Sequence, residues 1–126
     1  MKKWIRHFLE KIRWIPRADV IANLSPEHPD QASLPPGFLH VVGGKHYQKW
    51  AYLKCPCNCG ALIMLSLSAA RRPHWRVKFD WLDRPTVEPS IWQMEGCFSH
   101  FWIRKGRVDW VKDTGRRPPS SSHLGV

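Results

Sequence analysis

Cys55-Pro56-Cys57-Asn58-Cys59-Gly60 is the stretch that decides how this chain folds, and Gly96-Cys97-Phe98-Ser99-His100-Phe101 is its distant counterpart. Together they hold all four cysteines of the chain, and the second adds a histidine three residues after its cysteine. Four thiols and an imidazole suffice for one tetrahedral zinc site. A straight strand would set Cys55, Cys57 and Cys59 at intervals of about 6.6 Å, whereas sulfurs sharing a zinc sit roughly 3.8 Å apart. The segment must therefore curl. Pro56 fixes φ, Asn58 tolerates the left-handed region and Gly60 enters it freely, so a turn with converging thiols is predicted. Cys97 then closes the site from a later strand, with His100 as a competing ligand. The spacing is not the C-P-x-C-G of zinc ribbons. A structural zinc held by Cys55, Cys57, Cys59 and Cys97 is preferred over free buried thiols, and disulfides come third.

Working outward, a chain of 126 residues with eleven prolines is read as one small domain. Eight tryptophans supply apolar area for a core that a metal then staples. No run of 18 apolar residues exists to span a membrane. Arg6, Glu10, Lys11 and Arg13 interrupt the N-terminal segment, which argues against a secretory signal and, with clustered cysteines, for a reducing cytoplasm. The formal charge of +10 suits an acidic partner, either nucleic acid or a protein surface. Basic residues are spread through both ends without an aromatic RNA-binding signature, so nucleic acid is the less favoured of the two.

The elements follow from periodicity. Trp4, Ile5, Phe8, Leu9 and Ile12 recur at helical spacing, which predicts an amphipathic helix over 1–16, ended by Pro16 and docked on its own domain or on a partner in preference to a membrane surface. Residues 17–36 read as a connector with a short strand at Val20 to Ala22. A β domain is predicted over 37–112, with strands at 38–42, 49–54, 61–67, 75–81, 86–93, 98–103 and 107–111. Ala61 to Leu67, the most apolar run, is expected at the centre. Trp75 to Trp81 alternates as a half-exposed strand, and Pro89 marks an edge or bulged one. Arg104-Lys105-Gly106 is a tight hairpin connection. From 113 to 126 the composition predicts disorder. The fold class is mainly β with a small α part: a zinc-stapled antiparallel sheet or small barrel with an N-terminal helix.

Cys55 to Gly60, Arg72-Pro73-His74-Trp75, Arg84-Pro85-Thr86, Pro89-Ser90-Ile91-Trp92 and Gly96 to Trp102, taken in that order, resemble the bacterial family called BubE over roughly 37–111. The usual family turn is Cys-Pro-Cys-Gly-Cys-Gly. Asn58 departs from it mildly, since Asn also accepts a left-handed conformation. The resemblance implies a serine-type, deubiquitinase-like peptidase, encoded in an antiphage setting beside a ubiquitin-like protein and its activating and conjugating enzymes. It implies a substrate as well: that ubiquitin-like protein, matured from its precursor or removed from its conjugates.

The residues offer parts for such chemistry, which needs a hydroxyl within reach of a base. His100 lies inside the motif, with Ser99 and Ser90 as candidate nucleophiles. Neighbouring strand residues point to opposite faces, so Ser99 pairs with His100 only if the strand breaks there. A hairpin centred near Glu95 would place Ser90 directly opposite His100. Asp80 and Asp83 are candidates to orient a histidine. His40, His46 and His74 read as surface or strand-end residues. If His100 binds metal it cannot also be the base, and the alternative is a non-catalytic zinc module that binds a ubiquitin-like protein or nucleic acid.

Overall fold

A computed structural model describes residues 2–15, 17–30, 33–44 and 46–117. Among these residues the fold is mainly β, with one helix and two four-stranded sheets. The helix α1 spans Lys2–Lys11 and the expected stop at Pro16 lies outside the described residues. The first sheet has the order β1 (Ile21–Ser25), β2 (Phe38–Gly44), β3 (Tyr47–Lys54) and β4 (Leu62–Ser66). The second has β5 (Arg76–Phe79), β6 (Pro85–Trp92), β7 (His100–Arg104) and β8 (Arg107–Trp110). All pairings are antiparallel except β1 with β2, which is parallel.

Alternation places one face of each sheet inward. Leu39, Val41, Ala51, Leu53, Ile63 and Leu65 of the first sheet and Val77, Val87, Ile91, Phe101 and Ile103 of the second join one buried cluster. The two sheets therefore share one core, and the expected mainly β fold with an N-terminal helix takes the form of two sheets. Tryptophan contributes little to this core. Among the eight only Trp75 is buried, while Trp4, Trp14, Trp81 and Trp110 are exposed. The apolar run at Leu62 to Ser66 is likewise an edge strand, not a central one, and its apolarity reflects inward-facing Ile63 and Leu65.

Backbone bonds outside the ladders tie the sheets together. Trp75 N donates to Ser66 O at 2.8 Å, and Ala22 N donates to Asp83 O at 2.8 Å. The β7–β8 turn has φ of 47° at Lys105 and 76° at Gly106, both left-handed, as a two-residue hairpin requires. Gly106 O accepts from both Asp19 and Val20, and a Cβ on Gly106 would stand 2.8 Å from Val20 O, so only glycine fits.

Helix α1 docks differently from its apolar pattern. Arg6 is buried and its Nη1 reaches Leu82 O at 3.5 Å, while Glu10 Oε2 accepts from Ala18 N at 3.0 Å. Ile5 and Leu9 are half-buried, but Trp4, Phe8 and Ile12 face solvent. At this end the β5–β6 turn offers the helix the carbonyl of Leu82, and the connector before β1 offers the amide of Ala18. The polar face answers them.

Asp80 organises the turn between β5 and β6. Its Oδ1 accepts from the amides of Leu82 and Arg84 at 2.9 and 3.0 Å, and its Oδ2 accepts from Arg84 Nε at 2.6 Å. Burial pushes this carboxyl up, but the Arg84 and Leu82 amides and the Arg84 guanidinium outweigh it and hold the pKa below the ordinary range. A lowered folded-state pKa gives stability that is complete above the unfolded value of about 3.9 and is lost as pH falls through the folded value. Asp80→Ala should therefore lower unfolding free energy by about 1–3 kcal/mol at neutral pH, with the deficit shrinking under acid conditions. Urea unfolding at neutral and acid pH measures it, and equal midpoints at neutral pH would refute it.

Candidate functional site

The turn after β3 curls as its residues dictate. Asn58 N donates to Cys55 O at 3.1 Å, and φ is 69° at Asn58 and 85° at Gly60, both left-handed. Cys97 comes from the loop joining β6 to β7. The four sulfurs of Cys55, Cys57, Cys59 and Cys97 all lie within 4.8 Å of one another, and all four thiols are free. Cys55 Sγ is 3.4 Å from Cys57 Sγ and 3.6 Å from Cys97 Sγ, close to the roughly 3.8 Å of a tetrahedral thiolate site. The set is complete for one metal ion without an imidazole. As thiols they are unequal: burial pushes Cys55 up to about 12, whereas the Ser99 hydrogen bond, with the neighbouring thiols, brings Cys57 down to about 6.

Ser99 belongs to this cluster. It is buried, with Oγ 3.1 Å from Cys97 Sγ, and its carbonyl accepts from Gln93 N at 2.9 Å. His100 begins β7 and faces the other way. Its Nε2 is 3.0 Å from Ser90 Oγ, and its Nδ1 is 2.6 Å from Asp113 Oδ1. A carboxylate only accepts, so Nδ1 carries the proton and Nε2 is left to accept from the serine hydroxyl. Trp92 stacks on the imidazole at 4.1 Å between centroids and 5° between planes. His100 N donates to Thr114 Oγ1 at 2.9 Å, so ring and backbone are both fixed.

Ser90 reaches His100 by a route other than the expected register. Trp92, not Ser90, is directly opposite His100, and Ile91 is opposite Phe101. Between Val87 and Ile91 the register shifts: four steps along β6 match two along β7. Pro89 lies in that bulge, where the missing N–H costs no ladder bond. The strand is bulged but not an edge, since β6 lies between β5 and β7. Extra backbone at this point brings Ser90 back under the imidazole.

Asp113 was not legible. The composition from 113 onward predicts disorder, yet 112–117 form a turn on the start of β7, while 118–126 lie outside the described residues. Val111 N donates to His100 O at 3.0 Å, Gly115 N to Phe98 O at 2.9 Å, and Trp92 Nε1 to Arg116 O at 3.3 Å. An aspartate soon after the last strand was the one available signal. Asp80, the earlier candidate, is engaged by Arg84, and the Asp83 carbonyl meets Ala22. His40 and His74 bond backbone carbonyls of Glu27 and Arg71 away from the cluster.

Compared with known proteins, residues 24–111 match a family model described as bacterial ubiquitination-like system serine protease (BubE). No curated protein and no solved structure matches. The match ends before Asp113.

With four cysteines forming the cluster and His100 bonded elsewhere, the two sites separate by mutation. His100→Ala should retain about one metal ion per chain and the fold, whereas Cys97→Ala should lose both. Elemental analysis with circular dichroism checks this, and a metal-free His100→Ala protein would assign the imidazole to the metal.

Proposed function

This chain belongs to the BubE family of bacterial ubiquitination-like system serine proteases, and from that membership we propose that it hydrolyses a peptide or isopeptide bond at the C-terminal tail of a ubiquitin-like protein. The supporting observation is the continuous hydrogen-bonded line Ser90, His100, Asp113, with separations of 3.0 and 2.6 Å. Hydroxyl, imidazole and carboxylate in this order are the parts of a serine nucleophile, a general base and its orienting acid.

In this reading Ser90 Oγ attacks the tail carbonyl as its proton passes to His100 Nε2. The C–O bond forms and the carbonyl electrons move to oxygen. On collapse the C–N bond breaks, and His100 returns the proton to the departing amine. Water then attacks the acyl-serine with His100 again as base, releasing the tail carboxylate. Asp113 holds the Nδ1 proton and stabilises the imidazolium that forms after transfer. Trp92 covers one face of the ring, fixing its plane. Ser99 takes no part, because it faces the thiols.

The cysteine cluster is read as a structural zinc site. Thiolate ligands at this spacing, all four supplied by protein, leave no open coordination position for substrate. Bound there, the metal would hold the Cys55–Gly60 turn against the β6–β7 loop, and so the start of β7, where His100 sits. Partners follow from the family: a ubiquitin-like protein, its conjugates, and the activating and conjugating enzymes that act on it. No helix among the described residues is long and apolar enough to cross a membrane, and free cysteines fit a reducing cytoplasm.

Cleavage of a tail-extended ubiquitin-like precursor is the test, followed by mass spectrometry of both products. Ser90→Ala and His100→Ala should each reduce kcat by about a thousandfold or more, and Asp113→Asn by about a hundredfold or more. Ser99→Ala should keep the triad chemistry and lose stability instead. Full activity in folded Ser90→Ala would sink the assignment, and a protein that binds the precursor without cleaving it would be a binding module.

A further inference from the structure

Helix α1 turns the two halves of its circumference to different surroundings. By helical spacing Ile5, Arg6, Leu9 and Glu10 fall on one half, and Lys3, Trp4, His7, Phe8, Lys11 and Ile12 on the other. The first half meets the domain. Arg6 is buried against Leu82 O, Glu10 accepts from Ala18 N, and Ile5 and Leu9 are half-buried beside them. All six residues of the second half are exposed.

That exposed half is sorted into two rows. Trp4, Phe8 and Ile12 follow one another at four-residue intervals, and the Trp4 and Phe8 rings stand nearly parallel, 6.0 Å between centroids and 13° between planes. Lys3, His7 and Lys11 each precede one of them by a single position, so a basic row runs beside the apolar one. Trp14, just past the helix, is 79% exposed against 71% for Trp4, and exposed Arg13 and Arg17 lie on either side of it in the chain. Glu10 is the one acidic residue before Asp19, and its carboxylate turns to Arg6, His7 and the Ala18 amide. The face offered to solvent therefore carries aromatic rings and positive charge with no carboxylate to neutralise it.

We propose that this face of α1 is an interfacial anchor that lies on an anionic lipid surface, with Trp4, Phe8 and Ile12 entering the headgroup boundary and Lys3 and Lys11 on lipid phosphates. Charge selects the occupant: a row of cations beside a row of rings matches a surface whose outer layer is anionic and whose next layer is apolar. Shape selects it further. The rows form a ridge on a helix backed by its own domain, which a bilayer accepts by yielding, whereas a protein would need a groove about 15 Å long with acidic groups along one side. Indole suits the boundary because its body is apolar and its N–H is polar. Ten residues are too short to cross the bilayer and long enough to lie in its plane. The inference does not rest on the peptidase reading, whose residues lie in β6, β7 and the turn after β8.

Co-sedimentation of the full chain with vesicles tests the anchor. The probes are phosphatidylglycerol and phosphatidylethanolamine in equal parts, and phosphatidylcholine alone. Partitioning at low salt should be at least about tenfold stronger on the anionic vesicles and should fall as salt is raised. Trp4→Ser with Phe8→Ser, at positions that face away from the domain, should keep the circular dichroism of the wild type and lose about tenfold or more of that partitioning. Lys3→Gln with Lys11→Gln should weaken it by about tenfold as well. Charge alone adsorbs a chain of net charge +10, so penetration is read separately. Lipid brominated in its acyl chains should quench the tryptophan emission of the wild type, and quench Trp4→Phe with Trp14→Phe less. Failure to bind anionic vesicles at low salt overturns the proposal and leaves the face to a protein partner. Partitioning that the serine variant keeps, or quenching that the phenylalanine variant leaves unchanged, reduces the contact to charge and overturns it too.

Discussion

Convergence of the four cysteine sulfurs is the constraint on which the site depends. Three of them lie in the turn leaving β3 of one sheet, and the fourth lies in the loop entering β7 of the other. Drawing them within 4.8 Å fixes the two sheets against each other at one end. It also fixes the phase of β7. Ser99 faces the sulfurs, so strand alternation turns His100 outward, toward Ser90 and Asp113. The thiol cluster and the hydrogen-bonded triad are thus two faces of one strand start, and neither borrows a ligand from the other.

The rest of the triad depends on departures from regular pairing. A perfect β6–β7 ladder would place Trp92 against His100 and leave Ser90 two residues further along. The bulge at Pro89 shortens that distance to a hydrogen bond of 3.0 Å and leaves Trp92 free to stack on the ring. The chain then turns back after β8, so that Thr114 and Asp113 fix the amide and the Nδ1 of the same histidine. A half-buried imidazole with both ring nitrogens engaged is held in one tautomer and one plane.

Packing of the two sheets leaves a different signature at their margins. Because β5 begins opposite Glu88 while β6 runs on to Trp92, and because β4 is the last strand of its sheet, a groove lies between Leu62 to Leu65 and Ile91 to Glu95. Elsewhere the surface keeps aromatic rings in solvent, among them Trp4, Phe8 and Trp14 near the N-terminus, where Arg6 of α1 reaches the β5–β6 turn and Glu10 accepts from the connector amide of Ala18. Apolar periodicity identified that helix correctly, and the bonds that hold it come from its polar residues.

The sequence by itself determined the local elements: the left-handed Asn58 and Gly60 that curl the cysteine turn, the Lys105-Gly106 hairpin, the alternation that sorts inward from outward residues, and the family resemblance that the match over 24–111 shows. These are readable because they depend on φ preferences and periods carried by a few adjacent residues. Tertiary structure alone decided that the strands form two sheets, that Leu62 to Ser66 lies at an edge, that Ser90 and not Ser99 meets His100, and that Asp113 completes the line. Each of these depends on register across a bulge or on where a returning segment lands. A shift of one residue in pairing reverses every face, and composition at 113–117 carries no record of the hydrogen bonds that the Asp113 and Thr114 side chains make to His100 or that the Gly115 amide makes to Phe98 O.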